Sequence, residues 1–333
     1  MTKVEREIRD TLNDLPRVFD FTCEWVEGGD LSFLFDVDVV YFVGCGSSYY
    51  ISITMAKYTS GRLGLETKAI PAGEIHFCLD ENLGKSGLKR SAVLVSRSGE
   101  STEVILAGRK LKDLKIPILG VTIEENSSIF DVSDEVLVLP IEEESIVMTK
   151  SFTSIVLALQ ILVEYESDDG RLKKLEESIR NVKNVVDRSY ELVEDEDLTK
   201  HRRFVFLGAG VYEGIARESA LKLQEMSQST TEAFSTYEYR HGPKSMAEDG
   251  VLITMFARGE EEEERLKREL EGYGGKVITI GVEGSDVFLG DDPTISVFMG
   301  AIFSQILGLK IAEEKKIDVE NPRNLTKVVK IDG

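Results

Sequence analysis

Apolar, β-branched runs that end in a glycine turn and then give way to a helical period recur along this chain, and the pattern predicts parallel strands covered by helices. The first run is Val39-Val-Tyr-Phe-Val-Gly-Cys-Gly46. Ala92-Val-Leu-Val-Ser96 leads into Arg97-Ser-Gly-Glu-Ser101, Ile118-Leu-Gly-Val-Thr122 comes next, and Val136-Leu-Val-Leu139 is a fourth candidate. The second half answers with Phe204-Val-Phe-Leu-Gly-Ala-Gly210, then Val251-Leu-Ile-Thr-Met-Phe256 before Ala-Arg-Gly259, then Val277-Ile-Thr-Ile-Gly281. Gly46 and Gly210, Gly99 and Gly259, and Gly120 and Gly281 are 164, 160 and 161 positions apart. A near-constant offset at three strand ends predicts one α/β unit used twice, each a doubly wound parallel sheet.

The break is expected near Ser167-Asp-Asp-Gly170, after an apolar helix from Ser151 to Tyr165. This gives a first domain over 1–170 with a leading helix, a linker helix over 171–196, and a second domain with a C-terminal tail over 197–333. The leading helix, Met1 to Phe21, is expected to break at Pro16. Linker positions Leu175, Ile179, Val182 and Val186 fall at helical spacing on an otherwise polar stretch. The acid-rich run after Gly259 sets Glu261, Glu263 and Glu264 four residues before Arg265, Lys267 and Arg268, which predicts a solvated helix and no metal site.

Composition narrows the function classes. The 333 residues suit two domains of about 150 each. Forty Lys and Arg against sixty Asp and Glu leave a net charge of −20, which repels nucleic acid and anionic membrane. No apolar run is read as long enough to span a bilayer, the best being Ile155 to Val163 with Gln160 inside it, and the N-terminus has no apolar signal core. A cytoplasmic protein is the expectation. Cys23, Cys45 and Cys78 form no C-x-x-C, and the histidines are His76, His201 and His241. Chemistry without metal or cofactor is therefore expected.

Candidate chemistry sits at strand ends, where a doubly wound sheet binds ligands and the next helix offers free N–H groups. Gly44-Cys-Gly-Ser-Ser48 and Ser96-Arg-Ser-Gly-Glu-Ser101 both supply hydroxyls there. One such loop alone is read as helix capping; two at successive strand ends predict a phosphate site that needs no lysine. The duplicate is an internal control. Its loops, Ala257-Arg-Gly-Glu-Glu-Glu262 and Gly208-Ala-Gly-Val-Tyr212, have lost the serines, so no phosphate is expected there. Gly44-Cys-Gly46 is a weak dinucleotide signal, because Tyr49 stands where a third glycine belongs.

A helix from about Glu213 to Gln228 carries Ala216, Ala220, Leu223 and Met226 on its apolar stripe, with Lys222 and Glu225 three residues apart. The spacing alone predicts a surface ion pair. Ten residues on, Tyr237-Glu-Tyr-Arg-His-Gly-Pro243 places His241 at a Gly-Pro turn. By itself that is a structural histidine, yet an imidazole is the side chain suited to moving a proton on a sugar phosphate together with a carboxylate.

These blocks, with Met148-Thr-Lys-Ser-Phe-Thr153, Ala220-Leu-Lys-Leu-Gln-Glu-Met-Ser227, Glu232-Ala-Phe-Ser-Thr-Tyr-Glu-Tyr-Arg-His-Gly-Pro243 and Asn321-Pro-Arg-Asn-Leu-Thr-Lys327, resemble the tandem sugar isomerase (SIS) domain family. The likeness runs along nearly the whole chain in the family's order. Within the family it resembles the isomerase portion of glutamine–fructose-6-phosphate aminotransferases and the stand-alone glucosamine-6-phosphate deaminases. The resemblance implies that Ser47, Ser48, Ser96, Arg97, Ser98 and Ser101 lie at the sugar phosphate, and that Glu225 moves a proton between C1 and C2. It implies ring opening by His241, usually from a neighbouring subunit, so a homodimer, and Lys327 beside the reacting end, with Lys222 next to Glu225. No metal or cofactor is implied.

Two departures matter. Arg97 replaces the family's glutamine, where it either adds charge to the phosphate or replaces a hydrogen bond, and Ser101 replaces a threonine. No residue range is left over for a glutaminase domain, so deamination of glucosamine 6-phosphate to fructose 6-phosphate and ammonia is expected rather than synthesis. A plain aldose–ketose isomerase and a non-catalytic sugar-phosphate sensor are the alternatives, and galactosamine 6-phosphate stays open as substrate.

Overall fold

The computed structural model describes residues 1–84 and 87–328. Residues 329–333, the end of the range expected for the second domain, lie outside the described residues. The chain forms two compact units, each built on a five-stranded parallel sheet.

The first unit holds Asn13–Glu143, Ser154–Lys173 and residues 326–328. Its strands are β1 (Val39–Gly44), β2 (Glu66–Pro71), β3 (Arg90–Val95), β4 (Ile118–Thr122) and β5 (Glu135–Val138), in the order β2-β1-β3-β4-β5. The second unit holds Met1–Leu12, Glu144–Thr153 and Lys174–Leu325. Its strands β6 (Arg203–Gly208), β7 (Thr231–Phe234), β8 (Val251–Ala257), β9 (Lys276–Gly281) and β10 (Val287–Phe288) take the order β10-β9-β8-β6-β7. Read from β7, that is the same winding, so the sequence offset reflects one topology formed twice.

The central strands are buried on both faces, as their unbroken apolar runs require. The sequence pattern missed β2, β7 and β10. All three lie at sheet edges, and β2 alternates exposed and half-buried residues over Glu66, Thr67, Lys68 and Ala69. An edge strand has less surface to bury, so it need not carry an apolar run; β5, the edge strand that does, was read from Val136-Leu-Val-Leu139.

Helices α1 (Lys3–Glu27) and α2 (Ser32–Phe35) precede the first sheet; α3 (Ser47–Leu63), α4 (Ala72–Phe77), α5 (Leu79–Leu83) and α6 (Thr102–Asp113) connect its strands, and α7 (Lys150–Ser167) follows it. The expected break at Pro16 does not occur, and α1 runs straight through it. Proline there forfeits one backbone bond and crowds the preceding turn, at a cost of about 3 kcal/mol. Val4, Ile8, Leu15, Val18 and Val26 are all buried along the same helix, each contributing about 1.5–3 kcal/mol, and their sum wins.

The expected linker helix is two helices, α8 (Arg171–Ile179) and α9 (Val182–Asp195). It is also less polar in its role than its composition suggests, because α9 buries Val182, Val185, Val186, Tyr190 and Val193 and packs on α12 (Ile302–Lys315). Residues 1–12 and 144–153 belong to the second unit, whereas the sequence grouped them with the first sheet. One physical reason is Glu7, a buried carboxylate that accepts the backbone N–H groups of Glu144 and Ser145 at 2.6 and 3.1 Å.

One apolar segment needs correcting. Ile295–Lys315, 21 residues, is long and apolar enough to cross a membrane, contrary to the expectation that no run qualifies. Within the fold, 94% of its most apolar 18-residue window is buried, so its apolar surface is taken up by protein. The remaining helices are α10 (Tyr212–Ser227), between β6 and β7, and α11 (Glu261–Gly272), between β8 and β9.

Candidate active site

The two serine loops lie at the C-terminal ends of β1 and β3, which pair with each other. Because β2 lies on one side of β1 and β3 on the other, this is the switch point of the sheet, where a crevice opens. Ser47 and Ser48 start α3, both buried, and Ser101 stands just before α6. Neither helix is capped by a side chain: Gly46 occupies the cap position of α3, and Ser101 makes no cap hydrogen bond. The capping reading of these serines therefore does not describe the first unit.

Within the second loop the hydroxyls differ. Ser96 Oγ is buried and has no hydrogen-bond partner among the described residues. Ser98 Oγ accepts the N–H of Glu100 at 3.2 Å. An acidic residue in an anion loop would repel the ligand, but the Glu100 carboxylate is held by Ser128, whose N–H and hydroxyl donate to it at 2.6 and 2.9 Å. Cys45, between the glycines of the first loop, has its thiol pushed up to about 11 by burial and by the charge of Glu103. It is a protonated thiol at neutral pH and no nucleophile.

Arg97 is 6% exposed, and its guanidinium is directed at Glu143 Oε2, 3.0 Å away, and at the carbonyl of Lys327, 3.2 Å away. Lys327 Nζ donates to the Glu143 carbonyl at 2.7 Å and lies 3.6 Å from Glu124 Oε1. The first unit thus brings together Ser47, Ser48, Ser96, Arg97, Ser98, Ser101 and Lys327. Glu124 and Glu143 were missed in the sequence, because nothing local marks them and both reach this place by tertiary folding.

The second unit shows what the duplicate loop became. Its helix α11 starts with Glu263 buried and its carboxylate accepting the N–H groups of Arg258 and Glu260 at 2.7 and 3.3 Å. Burial raises the Glu263 carboxyl above its ordinary range. The chain's own carboxylate takes up the N–H groups of that loop. This also corrects the solvated reading of that run: Glu261 pairs with Arg265 at 2.7 Å as expected, but Glu263 turns inward and Arg268 donates to the Glu264 carbonyl.

The residues expected to carry proton chemistry, Lys222 and Glu225, lie on α10. Lys222 is fully buried, contrary to the surface pair its spacing suggests, and sits 2.5 Å from Glu225 Oε2 and 3.4 Å from Glu218 Oε1. The Glu218 side chain is also fully buried, while that of Glu225 keeps 20% of its surface. Offsets of four and three residues put all three groups on one face of the helix. Glu218 escaped the sequence reading, although its spacing from Lys222 was a visible signal. One ammonium between two carboxylates leaves a net negative charge, and Glu225 is the member open to a ligand.

His241 follows a short 3-10 turn (Glu238–Arg240) and is exposed. Its segment is tied to α11 on both sides: Arg240 pairs with Glu262 and Glu269, and Lys244 with Glu269 at 2.6 Å. Among the described residues no hydrogen bond joins the His241 ring to Glu225.

Two doubly wound parallel sheets of identical winding, one of them with a serine-lined switch point, define a tandem α/β protein of the ligand-binding kind. The SIS domain family model matches residues 33–165 and 197–298, and the chain belongs to that family. A crystal structure of glucosamine-6-phosphate deaminase from Thermotoga maritima is 39% identical, covers 98% of this chain and 99% of its own, and superposes with a TM-score of 0.90. Glutamine–fructose-6-phosphate aminotransferase from Fusobacterium nucleatum is 28% identical over 323 residues, 89% of this chain and 52% of that protein. The chain spans about half the length of the curated relatives it matches. The C-terminal domain of the Francisella tularensis aminotransferase, 22% identical with a TM-score of 0.81 over 96% of this chain and 98% of its own, shares the fold. The chain is thus a relative of sugar-phosphate isomerases and deaminases.

Proposed function

We propose that the protein is an amino-sugar-phosphate deaminase that uses isomerase-type chemistry on glucosamine 6-phosphate. The observation that carries this reading is the Glu218–Lys222–Glu225 arrangement: a buried ammonium holds a partly open carboxylate in place, which suits a base that must take a carbon-bound proton and return it. The likeness to the Thermotoga maritima deaminase along the whole chain supports the choice of reaction.

In this reading Ser47, Ser48, Ser96, Ser98 and Ser101, with the N-termini of α3 and α6, hold the phosphate, which positions the sugar and takes no part in bond making. His241 assists opening of the pyranose. Glu225 removes the C2 proton as the C1 oxygen gains one, then returns its proton to C1. The resulting C2 imine adds water and loses ammonia, leaving fructose 6-phosphate, with Lys327 beside the C1 end. Incubation with glucosamine 6-phosphate should release ammonia and fructose 6-phosphate in equal amounts. Interconversion of a plain aldose and ketose phosphate, with no ammonia from glucosamine 6-phosphate, would replace deamination by aldose–ketose isomerisation, and turnover of neither would leave a binding role.

The reading includes a homodimer in which His241 serves the neighbouring copy. Mixing His241→Ala with Glu225→Gln subunits should then restore part of the activity. No recovery in a verified mixed dimer would place the histidine in cis.

A further inference from the structure

We propose that Arg97 is a positioning residue for the C-terminal tail, holding Lys327 in place together with Glu143, and that it is not a ligand of the phosphate. This rests on the reading above in which Lys327 acts at the reacting end of the sugar.

Three hydrogen bonds link Arg97, Glu143 and Lys327 in a closed circuit. The Arg97 guanidinium donates to the Glu143 carboxylate at 3.0 Å and to the Lys327 carbonyl at 3.2 Å, and Lys327 Nζ donates back to the Glu143 carbonyl at 2.7 Å. The side chain of residue 97 thus holds the main chain of residue 327, while the side chain of residue 327 holds the main chain of residue 143. The root of the circuit is rigid, because the Arg97 carbonyl accepts the Thr122 hydroxyl at 2.9 Å and the Ile123 N–H at 3.2 Å.

Charge and burial decide against the phosphate. Glu143 has a fully buried side chain and neutralises Arg97, so the pair offers an incoming dianion no net positive charge. A buried carboxylate cannot give up a guanidinium partner at low cost. Arginine's planar fork can serve a carboxylate and a carbonyl together, whereas a glutamine, the residue of the family pattern, carries no charge for Glu143. The arginine therefore fits a task the glutamine cannot perform: fastening the tail to the loop that holds the phosphate serines.

The test uses the full chain with and without substrate. Arg97→Gln should lower kcat by about tenfold to a hundredfold, the scale of a small misplacement of a reacting group, with KM moved less than about threefold. In the absence of substrate, trypsin should cut after Lys327 at least about fivefold faster in the variant, read by mass spectrometry, because the tail opens more often. Arg97→Lys, which keeps the charge and one bond, should fall between the two. If the single variant does not fold, Arg97→Gln combined with Glu143→Gln removes both charges and should show the same split.

A KM rise above about tenfold with unchanged cleavage would make Arg97 a phosphate ligand and overturn the proposal. Faster cleavage beside an unchanged kcat would overturn the positioning role and leave only an anchor. Lys327→Ala with undiminished turnover would instead remove the role assigned to the lysine. The cleavage rates, which need no substrate, would still decide whether Arg97 holds the tail.

Discussion

Replacing Glu225 by glutamine is expected to lower ammonia release from glucosamine 6-phosphate by about 10²–10⁴-fold, with KM nearly unchanged. Glutamine keeps the shape and can still accept a hydrogen bond from Lys222, so what is lost is the ability to take a proton. Stability should change little. The wild-type face of α10 carries two carboxylates and one ammonium, with Glu218 and Lys222 fully buried. Glu225→Gln leaves Lys222 with the Glu218 carboxylate as a charge partner, so the buried ammonium is not orphaned. Ammonia and fructose 6-phosphate are measured together with a melting curve. Wild-type turnover by a correctly folded variant would remove Glu225 from the chemistry.

The second large effect comes from one substitution made at two equivalent glycines. At Gly44 an added Cβ would stand 2.6 Å from the backbone carbon and oxygen of Ser48, and at Gly208 it would stand 2.2 Å from the Tyr212 carbonyl oxygen. Both are approaches of helix backbone to strand end, which cannot be relieved by turning a side chain. Each Gly→Ala change should therefore destabilise its unit by about 1–3 kcal/mol through overpacking. The kinetics should differ, because different groups ride on the two helices. Gly44→Ala pushes on the first turn of α3, where Ser47 and Ser48 sit, and should raise KM for the sugar phosphate by about tenfold or more. Gly208→Ala pushes on α10, which carries Glu225, and should lower kcat by a similar factor with KM less affected. Steady-state kinetics on both variants give the comparison. Identical changes in KM and kcat for the two would mean that the serines and the glutamate do not divide binding and proton transfer as proposed.

How much of this was legible beforehand depends on how local each cause is. Buried central strands need unbroken apolar residues on both faces, so β1, β3, β4, β6, β8 and β9 were visible as runs. The winding followed from their repetition. Of the edge strands, β5 was visible through Val136-Leu-Val-Leu139, whereas β2, β7 and β10 were not, because a strand covered on one side can use Glu66 or Lys68 as readily as valine. Pro16 misled for a related reason: the local cost of proline is fixed, while the burial that outweighs it is set by distant residues.

The candidate site divides in the same way. Serines at strand ends and Lys222 with Glu225 on a helix are short-range patterns, since loop position and helical spacing follow from a few neighbouring residues. Sequence by itself thus determined the doubled α/β architecture and that the serines stand at the strand ends of the first unit alone. Tertiary structure alone decided the environments. It buried Lys222 between two carboxylates instead of leaving it on a surface, and turned Glu100 away onto Ser128. It filled the duplicate loop with Glu263 and joined Arg97 to Glu143 and Lys327, residues 46 and 230 positions away. Such pairings rest on electrostatics between groups that only the folded chain brings within hydrogen-bonding distance. No local period or motif encodes them.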